Sequence, residues 1–202
     1  MSAGAISIIP NLVYKFHYDG DLAPAVSRAI KDTCVHPSNV GSMRGGGKTT
    51  ANHTKNPPHT WQELESFFDW LDPHMKEVWN EWDMADLPLI PENSWTNIEA
   101  KGGFVVEHDH SPSHMSMAIY LQKPENSGDI EFRNPLQVNW SHMPRKFIDG
   151  DKHDYFQPVT ATTGDVVIFP GWLSHRVQPN QSDDIRVVMS ININGVRIRN
   201  SV

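Results

Sequence analysis

After Pro88 and Pro91 the hydrophobic pattern switches to a period of two and keeps it almost to the end of the chain. Apolar and polar residues alternate through 95–99, 104–110, 115–122, 129–133, around Thr160, and through 165–169, 174–178 and 185–194. Gly, Pro, Asn and Asp punctuate the gaps. Side chains on an extended strand alternate between faces, so each stretch buries one face and wets the other. About eight short strands joined by turns imply a closed or sandwiched antiparallel sheet, and a jelly roll fits best. The polar, aromatic segment 137–157 reads as a long insertion between strands.

The residues before this block read differently. Segments 6–10 and 12–18 look extended. Asp21 is placed to cap a helix with Pro24 in its first turn, running through Val26 and Ile30 to about Cys34. Thr60-Trp61-Gln62-Glu63 has the form of a capping box. Leu64, Phe67, Phe68, Leu71, Met75, Val78, Trp79 and Trp82 then follow helical spacing and form one wide apolar stripe. Pro73 is expected to kink this helix or to restart it from Asp72. Such a stripe belongs against a sheet. The expected fold class is therefore mainly β with packed helices, in a single domain over 1–202: supporting strands and helices in 1–93, and the jelly-roll core in 94–202.

Composition bounds the function. At 38% hydrophobic and 20% charged, with 7 Trp and 8 Phe, the chain can build a sizeable core. A formal net charge of -7 disfavours nonspecific nucleic-acid binding, which runs on phosphate neutralisation. One cysteine, Cys34, excludes an intrachain disulfide and reads as a packed thiol rather than a nucleophile. The start lacks a basic leader with a long apolar core, and no apolar run suits a membrane helix. A cytoplasmic protein is the expectation, with no membrane partner and with room for a homodimer. The run Arg44-Gly45-Gly46-Gly47-Lys48-Thr49 imitates a phosphate-binding loop, but Ser42 stands where the first Gly is required. A surface loop over 41–58 is the reading, and together with 137–157 it is a candidate substrate lid.

Three stretches carry the chemistry. His108 and His110 lie two apart, so on a regular strand both imidazoles face one side and Asp109 faces the other. His175 follows the apolar stretch 165–169 and the Pro170-Gly171 break. Arg186 comes eleven residues after it, near the start of the last strand, and alternates with Val188, Ser190 and Asn192. Two ligands from one strand and one from a distant strand is how a jelly roll holds a metal, and an inward Arg suits a carboxylate. The other eight histidines have no comparable setting. Alternatives stay open: Asp109 ligating through a bulged strand together with His108 or His110, a barrel that binds no metal, or a three-His cupin-like dioxygenase or isomerase.

The stretch from Trp95 to Asn194 resembles the non-haem iron, 2-oxoglutarate-dependent oxygenases, and is most similar to their small bacterial and tailed-phage members. The matching residues are Ser94-Trp95-Thr96-Asn97, Gly102-Gly103, His108-Asp109-His110, Tyr120-Leu121, Gly164-Asp165 through Phe169-Pro170-Gly171-Trp172-Leu173-Ser174-His175-Arg176-Val177, and Arg186 to Asn192. They cover about half the chain, and the segment ending in His175 with the following Arg186 is the most specific part. The resemblance implies a double-stranded β-helix with helices on one sheet. It implies Fe(II) held by the His108-Asp109-His110 region and His175, with His108, His110 and His175 the preferred ligand set in this chain, and with 2-oxoglutarate and O2 as cosubstrates. The far carboxylate of the keto acid would lie on Arg186 with help from Ser190, and Tyr120 and Asn97 would be further contacts or simply core. It implies hydroxylation of an unidentified peptide side chain or small metabolite, with release of succinate and CO2. One departure stands out: the superfamily pattern puts a carboxylate two residues after the first His, where this chain has His110. A neutral third ligand makes the site more positive and makes Zn(II) or Ni(II) credible occupants.

Overall fold

Alternation along the strands sorts their side chains into two cores. In the computed structural model, which describes residues 10–35, 42–51, 55–136 and 154–196, eleven strands form two antiparallel sheets. The strands are β1 Tyr14–His17, β2 Met43–Arg44, β3 Lys48–Thr49, β4 Leu89–Glu99, β5 Phe104–His108, β6 Met115–Gln122, β7 Ile130–Arg133, β8 Phe156–Val159, β9 Asp165–Pro170, β10 His175–Val177 and β11 Arg186–Gly195. The larger sheet has the order β1-β9-β6-β11-β4-β3 and the smaller β2-β5-β10-β7-β8. The double-stranded β-helix expected from the strand pattern and the resemblance is the observed architecture.

The central strands β6, β9 and β11 are covered on both faces. Met115, Met117, Ile119 and Leu121 of β6, Val166 and Ile168 of β9, and Val187, Met189, Ile191 and Ile193 of β11 pack towards two helices. The alternate residues Ala118, Tyr120, Val167, Phe169 and Val188 turn the other way and join Ile130 and Phe132 of the smaller sheet inside the barrel. The helices are α1, Ala23–Val35, and α2, Glu65–Glu81. Asp21 caps α1 as expected, its carboxylate accepting from the Ala23 N–H at 2.9 Å.

The structure corrects several local expectations. Thr60 does not cap α2: its hydroxyl donates back to the Pro57 carbonyl, inside a short 3-10 turn set by Pro57 and Pro58. A second such turn follows, and α2 begins at Glu65. Pro73 neither ends nor restarts α2, because buried Phe67, Leu71, Met75, Val78 and Trp79 hold both sides of it to the sheet. Strand β4 starts at Leu89, not at 95. It tolerates Pro91 because it pairs with β11 on one side, while β3 reaches only Asn97 and Ile98 on the other. The strand expected at Thr160 ends before it, as edge strand β8 containing Pro158.

The loop over 41–58 is partly built into the barrel. Two residues of it, Met43 and Arg44, pair with β5, and two more, Lys48 and Thr49, pair with β4. The turn between them needs positive φ at Gly45 and Gly46. Residues 6–9, 36–41, 52–54 and the insertion 137–153 lie outside the described residues, so the proposed lids are described only in part. Among the described residues, no helix is long and apolar enough to cross a membrane.

Candidate metal centre and cosubstrate pocket

Strand register brings the first and last imidazoles together. β10 starts at His175, and this residue sits directly opposite His108 of β5. Past His108 the ladder has no partner, so β5 stops there and does not reach His110 as alternation had suggested. His110 is instead held by its own backbone: its N–H donates to the Gly171 carbonyl at 2.8 Å, and its carbonyl accepts from the Ser113 N–H at 2.9 Å. Gly171 makes this possible. A Cβ there would lie 2.0 Å from the Ser113 carbonyl oxygen, so only glycine lets the two turns approach.

One ligand atom from each of His108, His110 and His175 lies within 4.8 Å of the others. The ring centroids are 4.4 Å apart for His108 and His175, and 5.0 Å for each pair involving His110. Two of the rings have fixed tautomers. The Nδ1 of His108 lies 2.9 Å from the Val106 carbonyl, and that of His175 lies 3.0 Å from the Leu173 carbonyl. A carbonyl only accepts, so both Nδ1 atoms carry the hydrogen and both Nε2 lone pairs are free.

Burial keeps the three rings neutral. It lowers His108, takes His110 down to about 4 with help from His108, and takes the more deeply buried His175 to about 3 with help from both neighbours. Three neutral, convergent imidazoles form a donor set suited to a divalent transition metal. Asp109, the alternative ligand, is exposed and accepts from the Ser111 N–H at 2.9 Å. It is not part of the cluster.

The imidazoles line one part of an inner cavity of about 210 Å³. Trp95, Asn97 and Glu99 of β4, Tyr120 of β6 and Ser190 of β11 also line it. Asn97, Tyr120 and Ser190 are thus brought to the same space as the imidazoles. Burial raises the pKa of Tyr120, so its hydroxyl stays protonated and can donate.

Arg186 is placed differently. It is wholly buried at the start of β11, behind Glu99 rather than on the cavity wall. Its Nε donates to the Glu99 carboxylate at 3.1 Å. Its Nη1 donates to the carbonyls of Ser127, Gly128 and Gln178. Its Nη2 is buried without a hydrogen-bond partner, and among the described residues no other buried side-chain nitrogen or oxygen lacks one. An orphaned guanidinium N–H beside a cavity fits the carboxylate end of a small acid.

Sequence reasoning missed two acidic residues of this region. Glu99 follows Asn97 by two on β4, and the same alternation that marks Asn97 marks it. Glu107 points out of the barrel and accepts from Arg133 through both carboxylate oxygens and from the Ser174 hydroxyl. It ties β5, β7 and the residue before His175 together. Its carboxylate is held down to about 2, chiefly by the Arg133 hydrogen bond. Only the spatial pairing of the strands reveals that role.

The same architecture recurs in solved structures. A prolyl-4-hydroxylase from Pseudomonas putida is 14% identical over 92% of this chain and 93% of its own, with a TM-score of 0.61. HygX from Streptomyces hygroscopicus, solved with nickel, 2-oxoglutarate and hygromycin B, is 11% identical over 91% of this chain and 82% of its own, also at 0.61. The collagen prolyl hydroxylase of Paramecium Bursaria Chlorella virus-1, in its 2-oxoglutarate complex, is 14% identical over 92% and 97%, at 0.56. At such identities the likeness is one of fold. No curated protein matches the chain. Residues 93–192, which hold all three clustered histidines and Arg186, match the family described as "Putative 2OG-Fe(II) oxygenase"; the chain belongs to that family, and is an enzyme that works with Fe(II) and 2-oxoglutarate.

Proposed function

We propose that this oxygenase hydroxylates a peptide side chain or small metabolite, using His108, His110 and His175 to hold the metal and Arg186, Ser190, Tyr120 and Asn97 to hold the keto acid. The observation that carries this reading is the pairing of two features around one cavity. Three imidazoles with free nitrogens converge on it, and an unsatisfied guanidinium N–H lies just behind its wall. Iron with 2-oxoglutarate would supply the oxidising chemistry, coupling decarboxylation of the keto acid to hydroxylation.

The chain's own residues do the rest. The Val106 and Leu173 carbonyls orient two of the rings, and burial keeps all three rings uncharged. Phe169 and Phe132 pack against His175, at centroid distances of 4.7 and 5.8 Å, and exclude water from its far side. Tyr120 and Ser190 offer hydroxyls to the acid.

An open groove starts at Ser111 and Pro112, immediately after His110, and runs past Trp82, Met84, Pro170 and the half-exposed Trp172. Its apolar lining supports a substrate with an apolar or peptide face. The packing of α1 and α2 on the larger sheet supports one oxygenase domain over 1–202. A cytoplasmic location and a homodimer belong to the same proposal.

The test is succinate formation from 2-oxoglutarate with Fe(II) and ascorbate, in wild type, His175→Ala and Arg186→Ala. Turnover lost in both variants is expected. Full keto-acid turnover in either would refute the assignment of that residue.

A further inference from the structure

We propose that Glu99 controls access to the cosubstrate anchor: 2-oxoglutarate binds Arg186 with Glu99 in its protonated form, so each bound molecule brings one proton into the cavity. This rests on the reading of Arg186 as the anchor.

Arg186 and Glu99 are register partners across β11 and β4, and both are buried. Glu99 reaches the cavity wall and Arg186 does not, so an acid in the cavity meets a carboxylate first. A two-point grip on a carboxylate needs two adjacent N–H groups. Nη1 is committed to three backbone carbonyls, leaving Nε and Nη2 as the pair, and Glu99 holds Nε.

Two ionised carboxylates cannot share that edge at close range in a buried site. A proton on Glu99 resolves the conflict. Its carbonyl oxygen still accepts from Nε, its new O–H donates to the incoming carboxylate, and Nη2 finds its missing acceptor there. Burial already pushes Glu99 towards the protonated form, with Arg186 opposing. A keto acid with no distal carboxylate faces no such conflict, so Glu99 becomes a specificity-determining residue.

The other titratable groups facing Glu99 are Arg186 from β11, Tyr120 from β6 and the three imidazoles across the cavity. Burial raises the pKa of Tyr120, so it stays neutral near neutrality. The imidazoles are met equally by any keto acid, so a comparison of two keto acids cancels them.

The experiment is calorimetric titration of the Fe(II)-loaded chain, without oxygen, with 2-oxoglutarate and with 2-oxopentanoate at pH 7.5. Two buffers of different ionisation enthalpy give the number of protons taken up. About one more proton is expected for 2-oxoglutarate than for 2-oxopentanoate. In Glu99→Gln the difference should vanish, and 2-oxoglutarate should bind about tenfold tighter relative to 2-oxopentanoate. Equal proton uptake by the two acids in wild type overturns the proposal, and this measurement stands even if the variant fails to fold. Equal weakening of both acids in the variant also overturns it, leaving Glu99 as structural support only. The anchor reading fails separately if Arg186→Gln leaves 2-oxoglutarate affinity unchanged.

Discussion

Stripped of metal, this protein should lose stability steeply below pH 6.5. His110 and His175 are held to about 4 and about 3 against an ordinary 6.5, because burial disfavours their charged forms. The unfolded chain takes up protons that the folded chain refuses. For a group with a depressed folded pKa, the stabilisation is complete above the unfolded value and drains as pH falls towards the folded one. At pH 5 both rings are still neutral when folded and largely protonated when unfolded. Each then costs about 2 kcal/mol relative to pH 8, or about 4 kcal/mol for the pair. That is a large share of the roughly 5–15 kcal/mol that holds a domain together. Urea unfolding of chelator-treated protein at pH 8 and pH 5 measures it. The comparison with His110→Gln/His175→Gln isolates it, since other titrating groups are common to both proteins. The double variant should lose about 4 kcal/mol less on acidification. The same loss in both proteins would refute the claim that these rings are buried and neutral. Adding Fe(II) at a hundred times its dissociation constant should return about 2.7 kcal/mol near neutrality, in wild type alone.

Four substitutions test other parts of the site. Asp109→Asn should leave metal affinity within about threefold of wild type, by metal titration, because Asp109 lies outside the cluster. Tyr120→Phe should weaken 2-oxoglutarate by about 10- to 100-fold in binding assays and leave metal affinity alone, the loss of one hydrogen bond to a charged group. Gly171→Ala should cost about 1–3 kcal/mol in denaturant unfolding and weaken metal binding, since its methyl group would collide with the Ser113 carbonyl and push His110 away. Glu107→Gln should lower stability near neutrality and erase part of the acid transition. Wild type keeps this carboxylate's contribution above pH 4.5 and loses it as pH falls towards 2, so the two unfolding curves should converge in acid.

The sheet positions of the site were legible because alternation is a local property. Val188 and Ser190 could be assigned to the cavity side of β11, and Val187, Met189 and Ile191 to the helix-covered side, from spacing alone, whereas Arg186 sits behind Glu99 and off the cavity wall. Alternation also paired His108 with His110, but β5 ends at His108, and a turn rather than the strand brings His110 to the cluster. Glu99 was not, because a carboxylate on a strand normally reads as solvent-facing, and only the β4–β11 register puts a guanidinium beside it. The short strands β2 and β3, one on each sheet, were hidden by their composition. Glycines and threonines read as loop whether or not two residues at each end find a sheet edge. The failed capping box has a similar cause: Pro57 and Pro58 claimed the Thr60 hydroxyl for a tighter turn, a competition that a four-residue motif does not contain.

The atoms that aim His108 and His175 belong to the main chain, and each is the carbonyl two residues earlier. No side-chain replacement at Val106 or Leu173 deletes them. The orientation of these two rings is therefore insulated from point mutation in a way that a carboxylate partner would not allow. Damage must come through the backbone path itself, by an insertion, a deletion or a shift of strand register. Selection can then rework the surrounding walls for a new substrate while the two rings keep their aim.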